Sequence, residues 1–385
     1  MDNLKIEKVE LFKVPPRWLF LKITTKGGIE GWGEPVIEGK ADTVAACVKE
    51  LSPFILGQPA NNIENIWQTL YRGGFYRGGP ILMSALAGID QALWDIRGKS
   101  LGVPVYELLG GAVRQRMRMY CWIGGDHPDV VLEQAKEKID AGYTAVKMNA
   151  TGPMTWISSL KEINTVADNI RLLREAFGDT LDIGLDFHGR IHKGMVKRLI
   201  DELSPYNPMF IEEPVLSEHN DLLKDLANYT SIPIATGERM FSRWDFKGLL
   251  SAGSADIIQP DLSHAGGISE VRRIAAMAEA YDVALAPHCP LGPISLAAAL
   301  NIDFACYNAF IQESSLGIHY NKGFDLLDYV SEPEVFDVKN GHIELFHKPG
   351  LGVTINEDKV REASKIGHNW SNPIWYNEDG SLAEW

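Results

Sequence analysis

Apolar and polar positions alternate from Ile6 to Lys13 and again from Trp18 to Thr25. Residues two apart on an extended chain share a face, so these runs predict two strands. Lys26-Gly27-Gly28 then turns the chain into Ile29-Glu30-Gly31-Trp32, which predicts a hairpin or short meander. From Asp42 to about Leu109 the spacing becomes helical, as in Leu82, Ala85, Leu86, Ile89 and Leu93, interrupted by the loop Gly73-Gly74-Phe75-Tyr76-Arg77-Gly78-Gly79. Sheet first and helices afterwards predict an α+β unit over residues 1–112.

Beyond Gly110-Gly111 short apolar runs alternate with helical stretches, and the predicted strands end near Trp122, Asn149, Asp186, Glu212, Gly237, Pro260, His288 and Glu313. Eight strand-helix units over about 200 residues predict an α/β architecture, a (β/α)8-type, TIM-like barrel spanning 113–318. After about Ile318 the alternation stops. Strand-like pieces at Ile343 to Phe346 and Gly352 to Ile355 predict that the segment 319–385 packs back onto the N-terminal unit and completes it as a capping domain.

Composition narrows the function classes. Hydrophobic residues make up 45% and charged residues 23%, the balance of a folded globular protein rather than a disordered one. A net charge of -14 opposes nucleic acid and anionic membrane surfaces as partners, and an anionic small molecule would need a cation to recruit it. Cys47, Cys121, Cys289 and Cys306 form no C-x-x-C pair and are expected as reduced thiols. With no basic segment leading into an apolar run, and no stretch of about 18 apolar residues, the expected location is the cytoplasm.

The candidate chemistry lies in a phase relationship. Asp186, Glu212, Glu238, Asp261, His288 and Glu313 follow one another at intervals of 26, 26, 23, 27 and 25 residues, each after an apolar run. One βα unit separates each pair, so a barrel would gather all six at the carboxyl ends of its strands, where such barrels build their active sites. Asp186, Glu212 and Glu238 form an all-oxygen set suited to a hard cation, Mg²⁺ before Zn²⁺. Asp261, on the strand neighbouring that of His288, would fix the imidazole tautomer and raise its basicity, making His288 a general base. His188, two residues after Asp186, would point into the same cavity and serve as a proton donor. A protonated Glu313 would donate to a developing oxyanion. His127, His192, His264, His319 and His342 are read as structural or peripheral, with His319 near enough to Glu313 to touch a substrate.

The runs Gly31-Trp32-Gly33-Glu34-Pro35, Phe75-Tyr76-Arg77-Gly78-Gly79-Pro80, Asp186-Phe187-His188-Gly189-Arg190, Phe210-Ile211-Glu212-Glu213-Pro214, Pro260-Asp261-Leu262-Ser263-His264 and Ala286-Pro287-His288-Cys289-Pro290 resemble the mandelate racemase-like branch of the enolase superfamily. That resemblance covers nearly the whole chain. It implies one Mg²⁺ per subunit on Asp186, Glu212 and Glu238, with the first glutamate of the Glu212-Glu213 pair as ligand. It also implies an Asp261–His288 base, a His188 acid and a Glu313 electrophile. Racemases of the branch carry Lys-x-Lys on the second barrel strand, where this chain reads Lys147-Met148-Asn149. Racemisation needs a proton-transfer group on both faces of the α-carbon, whereas β-elimination needs one base and one acid, so the resemblance implies an acid-sugar dehydratase. Gluconate, mannonate and aldarates stand as substrate alternatives, and a metal-stabilised sugar-acid binding protein as the non-catalytic rival. Substrate choice is expected from Arg17, Trp18 and Tyr76 of the cap and from Lys147 and Asn149. His127 departs from the arginine more usual in the branch, and the resemblance also implies a homo-oligomer.

Overall fold

The computed structural model describes residues 2–125 and 130–384, so His127 lies outside the described residues. The first sheet is antiparallel, in the order β1 (Ile6–Val14), β2 (Trp18–Thr25), β3 (Glu30–Gly33). Four helices follow: α1 (Ala41–Ile55), α2 (Ile63–Arg72), α3 (Pro80–Leu101) and the single-turn α4 (Val105–Leu108). The loop between α2 and α3 falls where the glycines predict it.

Helix α3 is buried almost all round because it is the wall between the cap sheet and the barrel. Gly31 and Gly33 of β3 lie directly on the carbonyls of Ala92 and Gly88, where a Cβ would overlap backbone, so strand and helix approach main chain to main chain. On its other side, α3 holds the segment that carries Asp261. Gln91 donates to the Leu262 carbonyl (3.1 Å), and Asp90 accepts from the Ser269 amide (2.9 Å) and hydroxyl (2.5 Å). Burial pushes the Asp90 carboxyl up to about 7, against the pull of those two bonds.

The second sheet carries eight parallel strands: β4 (Arg116–Ile123), β5 (Ala145–Asn149), β6 (Asp182–Asp186), β7 (Phe210–Glu212), β8 (Ile234–Thr236), β9 (Ile257–Ile258), β10 (Ala284–Leu285) and β11 (Gln312–Ser314). Sequential strands pair from β4 to β10, β11 pairs with β4, and a parallel bridge between Leu285 and Ala309 closes the ring. Between them run α5 (Val131–Asp140), α6 (Leu160–Phe177), α7 (Lys193–Leu203), α8 (Leu223–Ala227), α9 (Arg243–Ala252), α10 (Gly267–Glu279) and α11 (Pro293–Ala305). The barrel thus has its eight strands, while among the described residues no α-helix follows the last of them before residue 357.

One layer of side chains plugs the lumen: Tyr120, Ala145, Phe210, Ala235, Ile257, Ala286 and Ile311, each from a strand or the residue next to its end, with none from β6. There Gly184 leaves room for the Phe210 ring, which a Cβ would strike. Two residues further along each chain segment come Trp122, Lys147, Asp186, Glu212, Gly237, Gln259, His288 and Glu313. Strand alternation turns each of these to the same side as the plug, one storey higher. The polar ring is the next layer above an apolar floor.

The tail divides its packing between the two units. β12 (His342–Glu344) pairs antiparallel with β4 of the barrel, whereas α12 (Glu357–Ile366), a helix absent from the strand-like reading of this segment, lies against the cap, with Arg361 over the Phe12 ring. Trp18 also departs from expectation. It is 0% exposed and packs against Phe20 and Tyr329 (ring centroids 6.1 and 5.9 Å) in the cap core rather than at the barrel mouth. Trp18→Ala should therefore lower unfolding stability by about 3–5 kcal/mol, read in urea, with any effect on turnover following the loss of folded protein.

Candidate active site

Asp186 and Glu212 end adjacent strands, and Glu238 follows Gly237 just beyond the third. Each offers one carboxylate oxygen, and the three atoms lie within 4.8 Å of one another. Asp186 Oδ2 and Glu238 Oε2 are buried without a hydrogen-bond partner among the described residues. Burial, and then the neighbouring carboxylates, push both groups well above the ordinary carboxylate range. Three converging carboxyls, two buried and Glu238 half-buried, fit a hard divalent cation, which would relieve the repulsion between them. Glu213 takes no part: Arg239 grips it bidentately at 2.9 and 2.8 Å.

Across the cavity, His288 Nδ1 is 2.9 Å from Asp261 Oδ2, and the Ser263 amide donates to the other Asp261 oxygen at 2.6 Å. A carboxylate only accepts, so the imidazole proton sits on Nδ1. Nε2 is left to face the cavity, 3.4 Å from Glu238 Oε2. Burial opposes a charge on this ring, but the bond to Asp261 and the nearby Glu313 outweigh it and push His288 up to about 9. The pair with Asp261 orients the ring and raises its affinity for a proton.

His188 has the opposite character. Arg190, itself fully buried, places Nη2 2.7 Å from His188 Nδ1, and a guanidinium only donates, so the neutral ring carries its proton on Nε2. Burial, then Arg190, Arg239 and Lys147, hold His188 well below its ordinary range. A left-handed turn at φ 54° and a 2.5 Å bond from its own amide to Asp186 Oδ1 set its place beside the carboxylates.

Glu313 differs from the sequence expectation. Its carboxylate lies 3.0 Å from Lys147 Nζ and accepts from the Cys289 amide at 2.9 Å. Burial raises its proton affinity, yet Lys147, His288 and that amide prevail and hold it below the usual range. Glu313 is therefore an anion rather than the protonated donor expected. The donor at this position is the Lys147 ammonium, fixed between Glu313 and both oxygens of Glu212 at 3.0 Å.

Asp186, His188, Glu238, His288, Lys147 and Glu313 line a cavity of about 230 Å³. Of the residues expected to contact substrate, Arg17 and Lys147 line it. Trp18 does not, Asn149 is buried behind the wall donating to the Gly125 carbonyl (3.2 Å), and Tyr76 is 88% exposed on the α2–α3 loop. His319 packs against Tyr320, which lines the cavity where His319 does not.

Glu38 and His264 also line the cavity, the first without a sequence assignment and the second read as peripheral. Glu38 joins Arg17 (3.4 Å) to His264 (3.2 Å), and His264 reaches 3.8 Å from the same Asp261 oxygen that holds His288. His264 therefore belongs to the site and not to the periphery. Its place one helical turn beyond Asp261 was the available signal. Glu34, in the cap, accepts from the amides of Gly292 (2.7 Å) and Ser295 (3.0 Å), clamping the segment after His288 at the start of α11. Burial pushes the Glu34 carboxyl up to about 8 despite those bonds.

The chain is similar to known proteins over nearly its whole length. The mandelate racemase / muconate lactonizing enzyme N-terminal domain matches residues 15–110, and the enolase C-terminal domain-like family matches 130–359. D-galactonate dehydratases of Pectobacterium atrosepticum and Ralstonia pickettii are 57% and 56% identical over 382 residues, 99% of this chain and all of each relative. A crystal structure of an enolase from Agrobacterium radiobacter, with sodium and L-malate bound, superposes with a TM-score of 0.89 at 32% identity, covering 98% of this chain and 99% of that one. A mandelate racemase/muconate lactonizing enzyme from a Sulfitobacter species gives 0.88 at 28% identity, covering 96% and 98%.

Proposed function

The chain belongs to the mandelate racemase / muconate lactonizing enzyme branch of the enolase superfamily, and from that premise we propose that it dehydrates D-galactonate to 2-dehydro-3-deoxy-D-galactonate. The observation that carries the reaction class is the opposition of two unlike imidazoles across three carboxylates. One is made basic by Asp261, and the other is kept neutral with its proton facing the cavity by Arg190. The substrate comes from the two dehydratases that match this chain from end to end.

Asp186, Glu212 and Glu238 would hold the divalent ion, Mg²⁺ in this reading, which supplies Lewis-acid polarisation of the substrate carboxylate. His288 Nε2 takes the proton from C2. The Lys147 ammonium, steadied by Glu313, donates to the carboxylate oxygens as negative charge collects on them, a contribution of about 2.7–4 kcal/mol for one such donor. His188 gives its Nε2 proton to the hydroxyl leaving C3, so the electron pair from the C2–H bond becomes the C2–C3 double bond and water departs. The enol then tautomerises to the 2-keto acid. Asn149 stands where a racemase of this branch has its second lysine, and its amide cannot exchange a proton with carbon.

A homo-oligomer and a cytoplasmic location complete the proposal. Four free cysteines support a reducing compartment, and among the described residues no helix is long and apolar enough to cross a membrane. Incubation with D-galactonate, gluconate, mannonate and galactarate, each with and without chelator, tests substrate and ion together. A 2-keto-3-deoxy product from D-galactonate alone, abolished by chelator, is the expected result. Equal or better turnover of another acid sugar would overturn the substrate assignment.

A further inference from the structure

After α12 the chain does not end at the cap but crosses to the barrel mouth. His368 Nε2 lies 3.2 Å from the Trp18 carbonyl, and the Trp370 ring sits 5.4 Å from the Arg17 guanidinium and edge-on to Tyr320. Trp375 then stacks on Arg190 at 4.9 Å, the same arginine that holds His188. Between these anchors Asn372 lines the cavity. It is pressed against Gly39 of the cap so closely that a Cβ on that residue would collide with the Asn372 amide oxygen. From His368 to Ile374 no backbone–backbone hydrogen bond is made among the described residues. Side-chain contacts rather than main-chain pairing hold the segment.

Resting on the acid-sugar reading above, we infer that Asn372 is a specificity-determining residue, an amide carried over the mouth by this strap to hydrogen-bond the hydroxyls of the substrate beyond C3. The chemistry fits the place. Acidic and basic groups crowd the barrel end of the cavity, where the carboxylate and C2 must lie. The mouth end offers Arg17, Tyr320 and Asn372, and a carboxamide both donates and accepts, as a chain of hydroxyls requires. Stacking of both tryptophans on cationic side chains of the site fixes the amide between them.

In Asn372→Ala the KM for D-galactonate should rise about tenfold while kcat stays within about twofold, the size of one lost hydrogen bond. The inhibition constant of D-glycerate, a short hydroxy acid that reaches only the metal end, should not move. An unchanged KM, or a D-glycerate constant that weakens in parallel, overturns the inference, the second because it marks general distortion. Hydrogen exchange on the full wild-type chain with Mg²⁺ supplies a readout independent of turnover. Peptides covering 368–376 should become protected by a six-carbon acid sugar and not by D-glycerate. If wild type fails to turn over D-galactonate but another six-carbon acid sugar protects the strap, the functional reading falls and the inference stands. If no such acid protects it, the inference falls.

Discussion

Glu238→Gln should bind Mg²⁺ too weakly to measure by calorimetry at millimolar concentration and should lose about 10³–10⁴-fold in kcat/KM, the equivalent of about 4–5.5 kcal/mol. Glu238 is the clearest of the three carboxylates to test. Its Oε2 has no hydrogen-bond partner among the described residues and only faces His288 Nε2 at 3.4 Å, whereas Glu212 also holds Lys147 and Gln259, and Asp186 also takes the His188 amide. Glutamine keeps the shape and removes the charge, so the fold should persist. The substitution also removes an acid that repels its neighbours, and thermal stability without metal should be equal to wild type or higher. Exchange of the C2 proton with deuterium oxide should fall together with dehydration, because both need the carboxylate of the substrate polarised. Full activity in this variant would remove the metal assignment altogether.

His288→Asn is expected to separate binding from chemistry. Metal affinity should stay near wild type, since the imidazole is not one of the three converging ligands. Turnover should drop by about 10²–10⁴-fold, the usual worth of a placed general base. C2 exchange should vanish with it. His188→Asn offers the contrast: it leaves the Asp261–His288 pair intact, so C2 exchange should survive while dehydration collapses. If His288→Asn dehydrates at a near-normal rate, the base is another residue. If the two histidine variants lose exchange alike, the division of labour between the imidazoles is wrong.

Much of this was legible along the chain for two physical reasons. Strand alternation and the βα repeat are local rules, and together they fix both the depth and the angular position of a side chain at a barrel mouth. Asp186, Glu212, Glu238, Asp261, His288 and Glu313 could therefore be picked out by their spacing; in the structure Asp186, Glu238, His288 and Glu313 line one cavity, with Glu212 beside the first two and Asp261 bonded to the imidazole. The cap sheet was equally plain from its period of two. Less local facts were out of reach. Trp18 follows a turn and reads as a mouth residue, but Tyr329, more than three hundred residues away, closes over it and makes it core.

The sequence by itself determined the strands of the cap and barrel, their order and the phase of the polar ring, because these depend on periodicity and on residues no more than one βα unit apart, though it did not determine the helix of the tail. Only the tertiary structure decided which charge each ring member carries. Lys147 comes within 3.0 Å of Glu313 across the closed barrel, and that proximity converts an expected acid into an anion. Closure likewise brought Glu38, His264 and Asn372 to the cavity from the cap, a helix start and the tail. Electrostatic and packing energies depend on distance in space, and no pattern along the chain encodes the distance between the charged groups of residues so far apart in sequence.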